Sequence, residues 1–339
     1  MENLLEVKNL KTHFETHVGN VQAVRGVNLD LKYGEAIGIV GESGSGKSVT
    51  MMSILKLLTA NGKISEGEVI FKGKDIKNYS EKEMEAIRGK EISMIFQDPM
   101  TSLNPVLKIG DQLTEHLIKH EKISKKEALK RAINMLELVG IPSPEKRMNQ
   151  YPHEFSGGMR QRVMIAMSLI CNPKLIVADE PTTALDVTIQ AQILDLMKSL
   201  KEKFNTSIIL ITHDLGVVAE LCTRINVMYG GIVIERGTTE EIFYNGKHPY
   251  TWGLLRSVPN PKATKKEKLK PIDGQPPDLL KPPAGCPFTA RCDYAMKICK
   301  EKMPPCFKIS ETQETACWLC HKNAPKVEGF VIKEGMDNE

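Results

Sequence analysis

The sequence lacks a long hydrophobic run, a strong excess of either charge and a leader-like start. Its longest apolar stretch, Val163–Cys171, spans nine residues and contains Ser168, whereas a helix that crosses a bilayer needs about 20 apolar residues. The 46 basic and 42 acidic residues leave a formal net charge of only +4, which argues against a strongly basic nucleic-acid-binding protein. The first residues have neither a basic start nor an apolar core, so we expect no transmembrane segment and no secretion.

The composition is that of an ordinary globular protein. The 339 residues are 41% hydrophobic and 26% charged, which suffices for a sizeable core and excludes a disordered chain. At about 150 residues per domain, the length corresponds to roughly two domains.

Strand and helix patterns alternate over most of the chain. Residues 27–31 alternate apolar and polar side chains, as in a half-buried strand, and continuous apolar runs occur at 36–40, 175–178 and 208–211. Such runs are typical of strands buried on both faces of a parallel sheet. The capping-box pattern Ser124–Glu127 predicts the start of a helix. Together these patterns predict an α/β fold with a largely parallel sheet.

A string rich in glycine and serine, with one lysine, follows the apolar run at 36–40 and precedes a helical pattern that extends to Leu58. Glycines allow backbone N–H groups to close around phosphate oxygens at the positive end of the following helix. In this phosphate-loop pattern the lysine reaches the β- and γ-phosphates and the last serine binds Mg²⁺. The string predicts a nucleotide site formed by Gly41, Glu42, Ser43, Gly44, Ser45, Gly46, Lys47 and Ser48.

A second motif is Asp179-Glu180, which directly follows the apolar run at 175–178. A buried strand would deliver Asp179 to the carboxyl edge of the sheet, where the Mg²⁺ of a phosphate-loop enzyme lies. Glu180 would then act on the attacking water as a general base.

A third motif is Ser156-Gly157-Gly158, which precedes the apolar helical pattern that starts at Val163. Small residues at a helix N-terminus form an anion cradle. On these residues alone, an ordinary glycine-rich loop with a helix cap stays an equal alternative.

These motifs, followed by His213 after the next predicted strand, resemble the nucleotide-binding subunits of ABC transporters over residues 1 to about 258. The resemblance implies an ABC-type ATPase domain over 1–258, with a helical subdomain at about 98–172. It implies that the signature that binds the ATP of a partner chain is Ser156, Gly157 and Gly158. Phe155 and Met159 replace the usual end residues of this signature, which leaves the Ser-Gly-Gly cradle intact.

The same resemblance assigns roles to further residues. Gln97 would be the glutamine of the Q-loop and would bind Mg²⁺ together with Ser48 and Asp179. Asp186, in Ala184-Leu185-Asp186, would be the D-loop aspartate, and His213 would be the catalytic switch histidine beside Glu180. An aromatic residue that stacks on adenine is usual in the family, but the aligned position is Val18, so this contact stays unassigned.

A subgroup is indicated by the strings at 96–105, 155–162, 248–251 and 285–288. They are similar to the ATPases for dipeptide, oligopeptide and nickel uptake, in particular the D type of dipeptide-permease ATPase. This resemblance implies a peripheral ATPase on the cytoplasmic face of the membrane that drives peptide import. Its partners would be a sister ATPase or a second copy, two transmembrane permease subunits and, indirectly, an extracytoplasmic peptide-binding protein, with no nucleic acid.

Other ABC proteins fit less well. An ABC ATPase that acts on DNA would need a long coiled-coil insertion, and only 107 residues separate Ser48 from Ser156. A ribosome-acting ABC protein would carry two cassettes, whereas this chain has one phosphate loop. Whether nickel is the cargo, and whether the ATPase pair is a homodimer or a heterodimer, stays open.

Six of the eight cysteines lie between Cys286 and Cys320, which we call the cysteine-rich segment. Prolines precede it, so we predict a linker and a cysteine-rich C-terminal module over 259–339. Clustered cysteines without a secretion signal favour metal binding over disulfides. The resemblance implies a [4Fe–4S] cluster on Cys286, Cys292, Cys299 and Cys317. The alternatives are Zn²⁺ bound by Cys317, Cys320 and His321, or reduced thiols without metal.

Overall fold

The computed structural model describes residues 2–98, 102–183, 185–257 and 271–327. The strands are β1 (Asn3–Thr16), β2 (Gly19–Lys32), β3 (Ala36–Val40), β4 (Gly62–Phe71), β5 (Lys74–Asp75), β6 (Ile92–Ile95), β7 (Leu175–Asp179), β8 (Ser207–Thr212), β9 (Arg224–Tyr229), β10 (Ile232–Thr238), β11 (Phe307–Lys308) and β12 (Glu314–Thr315). The α-helices are α1 (Lys47–Ile54), α2 (Glu81–Ile87), α3 (Ile109–Glu121), α4 (Lys125–Leu138), α5 (Pro144–Arg147), α6 (Gly157–Leu169), α7 (Val187–Phe204), α8 (Leu215–Leu221), α9 (Thr239–Asn245), α10 (Pro249–Arg256) and α11 (Lys297–Glu301).

The chain divides into two compact units. The first unit consists of residues 1–4, 31–36 and 71–211, and the second of residues 5–30, 37–70 and 212–339. Both units contain strands and helices, and the predicted α/β class is confirmed. The predicted boundary between 258 and 259 lies outside the described residues and stays a prediction.

The first unit contains a parallel arrangement of β6, β7 and β8. Ile95 pairs with Ala178, and Ala178 pairs with Leu210 on the other side. All residues of β7 and β8 are buried, as expected for strands covered on both faces. Because the three strands run the same way, their carboxyl ends meet at one edge.

Helix α4 of the first unit begins and ends where its sequence indicates. The Ser124 side chain accepts a hydrogen bond from the Glu127 backbone N–H at its start, and Gly140 adopts a φ of 76° just beyond its end. A positive φ is accessible to glycine at little cost, which explains why the helix stops there.

The second unit contains a mixed sheet. β3 pairs with β9 in parallel, β9 and β10 are antiparallel, and β10 then pairs with β12. The last strands, β11 and β12, belong to the cysteine-rich segment. This segment therefore extends the sheet edge of the second unit at Glu235–Thr315 and Arg236–Glu314.

One helix is shorter than its sequence pattern predicts. α1 ends at Ile54 and not at Leu58, because Lys56 adopts a left-handed φ of 52°. Among the described helices, none has both the length and the apolar character that a membrane span requires.

Candidate functional site

The phosphate loop, residues 41–48, connects β3 to α1 in the second unit. Gly46 is the N-cap of α1 with a φ of 99°, and a Cβ atom on it would lie 2.5 Å from the Ala23 carbonyl oxygen. A Cβ atom on Gly41 would lie 2.2 Å from the carbonyl oxygen of Met228. Both positions therefore require glycine, because any side chain would overlap with backbone atoms.

Lys47 lies within the loop and is buried. Its Nζ donates hydrogen bonds to the carbonyl oxygens of Gly41 at 2.6 Å and Glu42 at 3.0 Å. The loop thus holds an ammonium group beside the N-terminal end of α1, which carries a partial positive charge. Ser48 follows Lys47 in the first turn of α1, while Ser43 and Gly44 form the exposed tip of the loop. This arrangement suits the phosphate groups of a nucleotide.

Arg291 supports the loop from the cysteine-rich segment, and sequence patterns do not reveal it. Its guanidinium forms a two-pronged ion pair with the Glu42 carboxylate at 2.5 and 2.9 Å. The Arg291 side chain is only 4% exposed, and the same guanidinium donates to the Ile272 carbonyl and the Tyr229 hydroxyl. The Glu42 carboxylate raises the pKa of Arg291, which stays charged.

Tyr250 makes a second contact with Glu42. Its hydroxyl accepts the Glu42 backbone N–H at 2.8 Å, and the tyrosine is fully buried. Burial raises the pKa of this phenol, so it stays neutral. Glu42 is thus fixed through both its backbone and its carboxylate.

The strand edge of the first unit carries three of the predicted residues, Gln97, Asp179 and Glu180. Asp179 ends β7 and is 5% exposed, and Gln97 follows β6 by two residues. The Gln97 side-chain Nε2 donates to Glu180 Oε2 at 3.1 Å. The structure therefore brings together two residues that are 83 positions apart in the chain.

Glu180 has an unusual backbone and a defined carboxylate. Its φ is 47°, and its N–H donates to the Ile211 carbonyl at 2.8 Å. The Thr183 hydroxyl donates to Glu180 Oε2 at 2.9 Å. A left-handed conformation in a non-glycine residue costs free energy and is concentrated at functional sites. Pro99, Met100 and Thr101, which follow Gln97 in the Q-loop string, lie outside the described residues.

The remaining ABC-type residues lie at the N-terminal ends of α6 and α7, where Ser156, Gly157 and Asp186 are exposed and Gly158 is partly buried. Ser156 is the N-cap of α6, its Oγ accepts the Met159 N–H at 3.4 Å, and nothing lies within 4 Å of where a Gly157 Cβ would be. A Cβ atom on Gly158 would lie 3.0 Å from Ile189 Cγ2. The Asp186 side chain caps α7.

His213, in the second unit, is also exposed and follows β8 by one residue. Ala184, the first residue of the predicted D-loop, lies outside the described residues.

The four cysteines predicted as cluster ligands line one small cavity of the second unit: Cys286, Cys292, Cys299 and Cys317. The Cys286 backbone N–H donates to the Cys299 carbonyl at 2.8 Å, and the Thr289 hydroxyl donates to both the Cys286 and Cys299 carbonyls. A Cβ atom at Gly285 would lie 2.1 Å from the Cys299 carbonyl oxygen, so only glycine permits this approach.

The other two cysteines of the segment lie elsewhere. Cys306 borders a different cavity and its thiol donates to Glu314, and Cys320 does not line the cavity of the four. Burial raises the pKa of Cys292 to about 11 and also raises that of Cys286 and Cys317. Among the described residues there is no disulfide and no group of three His, Cys, Asp or Glu side chains already arranged to hold a metal ion.

Two family models match the chain. Residues 24–183 match the ABC transporter model, and residues 234–299 match the model for the C-terminal region of oligopeptide/dipeptide transporters. The oligopeptide transport ATP-binding protein OppD of Bacillus subtilis (strain 168) is 62% identical over 96% of this chain and 91% of its own length. The dipeptide transport ATP-binding protein DppD of the same organism is 56% identical, with 96% and 97% covered.

This chain belongs to the family of oligopeptide and dipeptide ABC transporter ATP-binding proteins. The resemblance inferred from the ordered motifs is thereby confirmed.

Among solved structures, this transporter ATPase resembles a dimeric post-hydrolysis state of the ATP-binding cassette MJ0796 bound to ADP and Pi. The TM-score is 0.63 at 32% identity, covering 69% of this chain and 98% of that one. The predicted P-loop ABC ATPase fold is thereby confirmed. The [4Fe–4S] and metal-binding predictions find no such support, and the roles of individual site residues stay predictions.

Proposed function

We propose that this protein is the ATP-hydrolysing subunit of an importer that takes up dipeptides or oligopeptides across the cytoplasmic membrane. The observation that carries the proposal is the phosphate loop closed around Lys47, in a chain that matches peptide-transporter ATPases over nearly its whole length. The chain acts from the cytoplasmic face on two transmembrane permease subunits. A peptide-binding protein outside the membrane delivers the peptide to these subunits.

Two ATPase chains face each other head to tail in this proposal, the second being a sister ATPase or another copy. Each ATP lies between the phosphate loop of one chain and Ser156-Gly157-Gly158 of the other. The exposure of Ser156 and Gly157, and the open space beside Gly157, support this assignment, since a site for the nucleotide of a partner chain must be accessible. A dimeric solved neighbour gives further support.

Hydrolysis requires positioning and neutralisation of charge more than covalent chemistry. Lys47 binds the γ-phosphate, Glu180 accepts a proton from the attacking water, and His213 stabilises the transferring group. The Gln97–Glu180 hydrogen bond supports a role for Gln97 in orienting the base. Asp186 contacts the partner chain.

Mg²⁺ would be held by oxygen atoms of Ser48, Gln97 and Asp179, because it prefers hydroxyl, amide and carboxylate oxygens. When bound, it supplies neutralisation of phosphate charge. The Gln97 amide nitrogen makes the bond to Glu180, so the amide oxygen is the atom that would bind the cation.

The function is tested by reconstitution with the two permease subunits and the sister ATPase. ATPase activity should be low for the isolated chain, rise on assembly, and drive uptake of labelled peptides into vesicles. Lys47→Ala should abolish both ATPase activity and peptide uptake. Lys63→Ala, which changes an exposed lysine in an ion pair with Glu15, should leave the activity and the uptake unchanged. High activity of the isolated chain that is independent of protein concentration would contradict the two-chain site.

We also propose that Cys286, Cys292, Cys299 and Cys317 hold a [4Fe–4S] cluster. The donor set fits, because four thiols line one cavity and thiolates are the ligands of such clusters. Bound there, the cluster would supply a covalent tie between residues 286 and 317 and a capacity for one-electron transfer.

The cluster is tested on anaerobically purified full-length protein. It should be brown, with iron and acid-labile sulfide in a ratio near one, and Ser at any of the four positions should bleach it. Ser at Cys306 or Cys320 should not, since neither lines the cavity. Colourless protein with one equivalent of zinc and no iron would overturn the cluster in favour of the zinc alternative.

A further inference from the structure

His248 begins the string His-Pro-Tyr-Thr and is the N-cap of α10. Its Nδ1 accepts the Tyr250 backbone N–H at 3.1 Å. A neutral imidazole that accepts a hydrogen bond at Nδ1 carries its proton on Nε2. The hydrogen bond to the helix therefore fixes the tautomer, and Nε2–H is a donor without a lone pair for a metal.

The Nε2 atom of His248 is buried and has no hydrogen-bond partner within the described part of the chain. The residue as a whole is 1% exposed. Leaving a buried donor unsatisfied costs about 1–3 kcal/mol, and such groups are rare in folded proteins. The described part of the chain therefore supplies no acceptor for this atom.

The histidine borders the cavity that the four thiols line. Its ring centroid lies 5.9 Å from that of Phe288, another residue of the cavity wall. The fixed donor and the four sulfur atoms thus share one small space in the second unit.

The backbone at His248 is held by Glu235. This buried carboxylate accepts the backbone N–H groups of Lys247 and His248 at 2.5 and 3.0 Å, and the Thr251 hydroxyl at 2.6 Å. Gln313 Nε2 also donates to it at 3.1 Å. Two backbone bonds and one cap bond therefore fix His248 before any group enters the cavity.

We propose that His248 donates an Nε2–H hydrogen bond to a sulfur atom of the cluster held by the four thiols, as a positioning residue and not as a ligand. This inference rests on the cluster proposed above. Hydrogen bonds to cluster sulfur atoms are among the factors that set the reduction potential. Because the donor stabilises the more negative, reduced form, His248 raises the potential and makes the cluster easier to reduce.

The decisive variant is His248→Asn, which keeps a side-chain acceptor for the helix cap and removes the Nε2–H donor. In an anaerobic redox titration of full-length protein, it should retain its iron while its midpoint potential falls below that of the wild type. The matched control His153→Asn makes the same substitution at an exposed histidine of the first unit that does not line the cavity, so its potential should equal that of the wild type. An unchanged potential in iron-loaded His248→Asn would overturn the proposal.

A second measurement does not depend on the variant folding. Wild-type protein labelled with ¹⁵N-histidine is reduced, and electron–nuclear couplings to the cluster are recorded. A weak ¹⁵N coupling with an exchangeable proton supports the hydrogen bond. A strong coupling typical of direct ligation, or no coupling at all, overturns it. Protein that contains no iron would instead refute the underlying cluster, so the two failures are distinguishable.

Discussion

The phosphate loop and the strand edge differ in what determines their local geometry. In the loop the backbone determines the geometry. Gly41 and Gly46 leave no room for a Cβ atom, and the phosphate oxygens of a bound nucleotide would accept hydrogen bonds from backbone N–H groups. At the strand edge side chains are decisive, since Gln97 and Thr183 both donate to the Glu180 carboxylate. Substitutions that add a Cβ atom should therefore disturb the loop most. Substitutions that replace a hydrogen-bonding group should disturb the strand edge most.

The largest effect is expected at the strand edge. Glu180→Gln keeps the size of the side chain but removes the base, so hydrolysis should slow at least about 10²-fold while ATP still binds. The measurement is single-turnover hydrolysis in the assembled transporter, together with nucleotide binding. Glu202→Gln, the same change at an exposed position of α7, should leave the hydrolysis rate and the nucleotide binding unchanged. Near-normal hydrolysis in Glu180→Gln would remove the residue from this role.

The next effect is expected in the loop. Gly46→Ala places a methyl group 2.5 Å from the Ala23 carbonyl oxygen at a φ of 99°, and such strain costs about 2 kcal/mol. ATP affinity measured by calorimetry should fall roughly thirtyfold. Gly44→Ala is the matched control, because its φ is also positive but nothing lies within 4 Å. Equal losses in the two variants would show that backbone overlap is not what the loop avoids.

A smaller effect is expected where the cysteine-rich segment supports the loop. Arg291→Gln breaks the ion pair with Glu42, whose carboxylate is 30% exposed, so we expect a loss of about 1–1.5 kcal/mol in the free energy of unfolding. Denaturant titration of the full chain measures it. Lys63→Gln removes the exposed pair with Glu15 and should cost less than about 0.5 kcal/mol. If both variants lose the same amount, the Arg291–Glu42 pair stabilises the fold no more than an exposed ion pair does.

The smallest effect returns to the strand edge. Thr183→Val keeps the shape of the side chain but removes the hydroxyl that donates to Glu180, a bond worth about 0.5–1 kcal/mol. The hydrolysis rate of the assembled transporter should fall about two- to fivefold. Thr188→Val, at an exposed position of α7, is the control and should have no effect. A loss as large as that of Glu180→Gln would mean that Thr183 itself contacts the water.

The strands and the nucleotide motifs were predictable because the responsible residues are consecutive. Residues 41–48 carry their own glycines and lysine, and β7 appears in the sequence as an apolar run that ends in Asp179-Glu180. The end of α1 was predicted wrongly, since nothing in the sequence marks the left-handed Lys56.

Other contacts were not predictable because distant residues make them. Arg291 meets Glu42 across 249 positions, and no local pattern distinguishes it from other arginines. In the sequence, His248 is distinguished only by its place in the string His-Pro-Tyr-Thr. Its orphaned Nε2 emerges when burial and the bond to Tyr250 are known. The gathering of four cysteines in one cavity matches the ligand set that family resemblance implies.

The ion pair between Glu42 and Arg291 has a consequence for the order in which the nascent chain matures. Synthesis adds roughly 5–20 residues per second, so the 249 positions between the two residues take roughly 10–50 s to make. Helices and hairpins form in microseconds. The time needed to synthesise the chain as far as Arg291 is therefore far longer than the time in which local structure around the phosphate loop can form. During that interval Glu42 lacks the guanidinium of Arg291. A chain truncated before residue 291 would therefore contain the phosphate loop without the ion pair that holds Glu42.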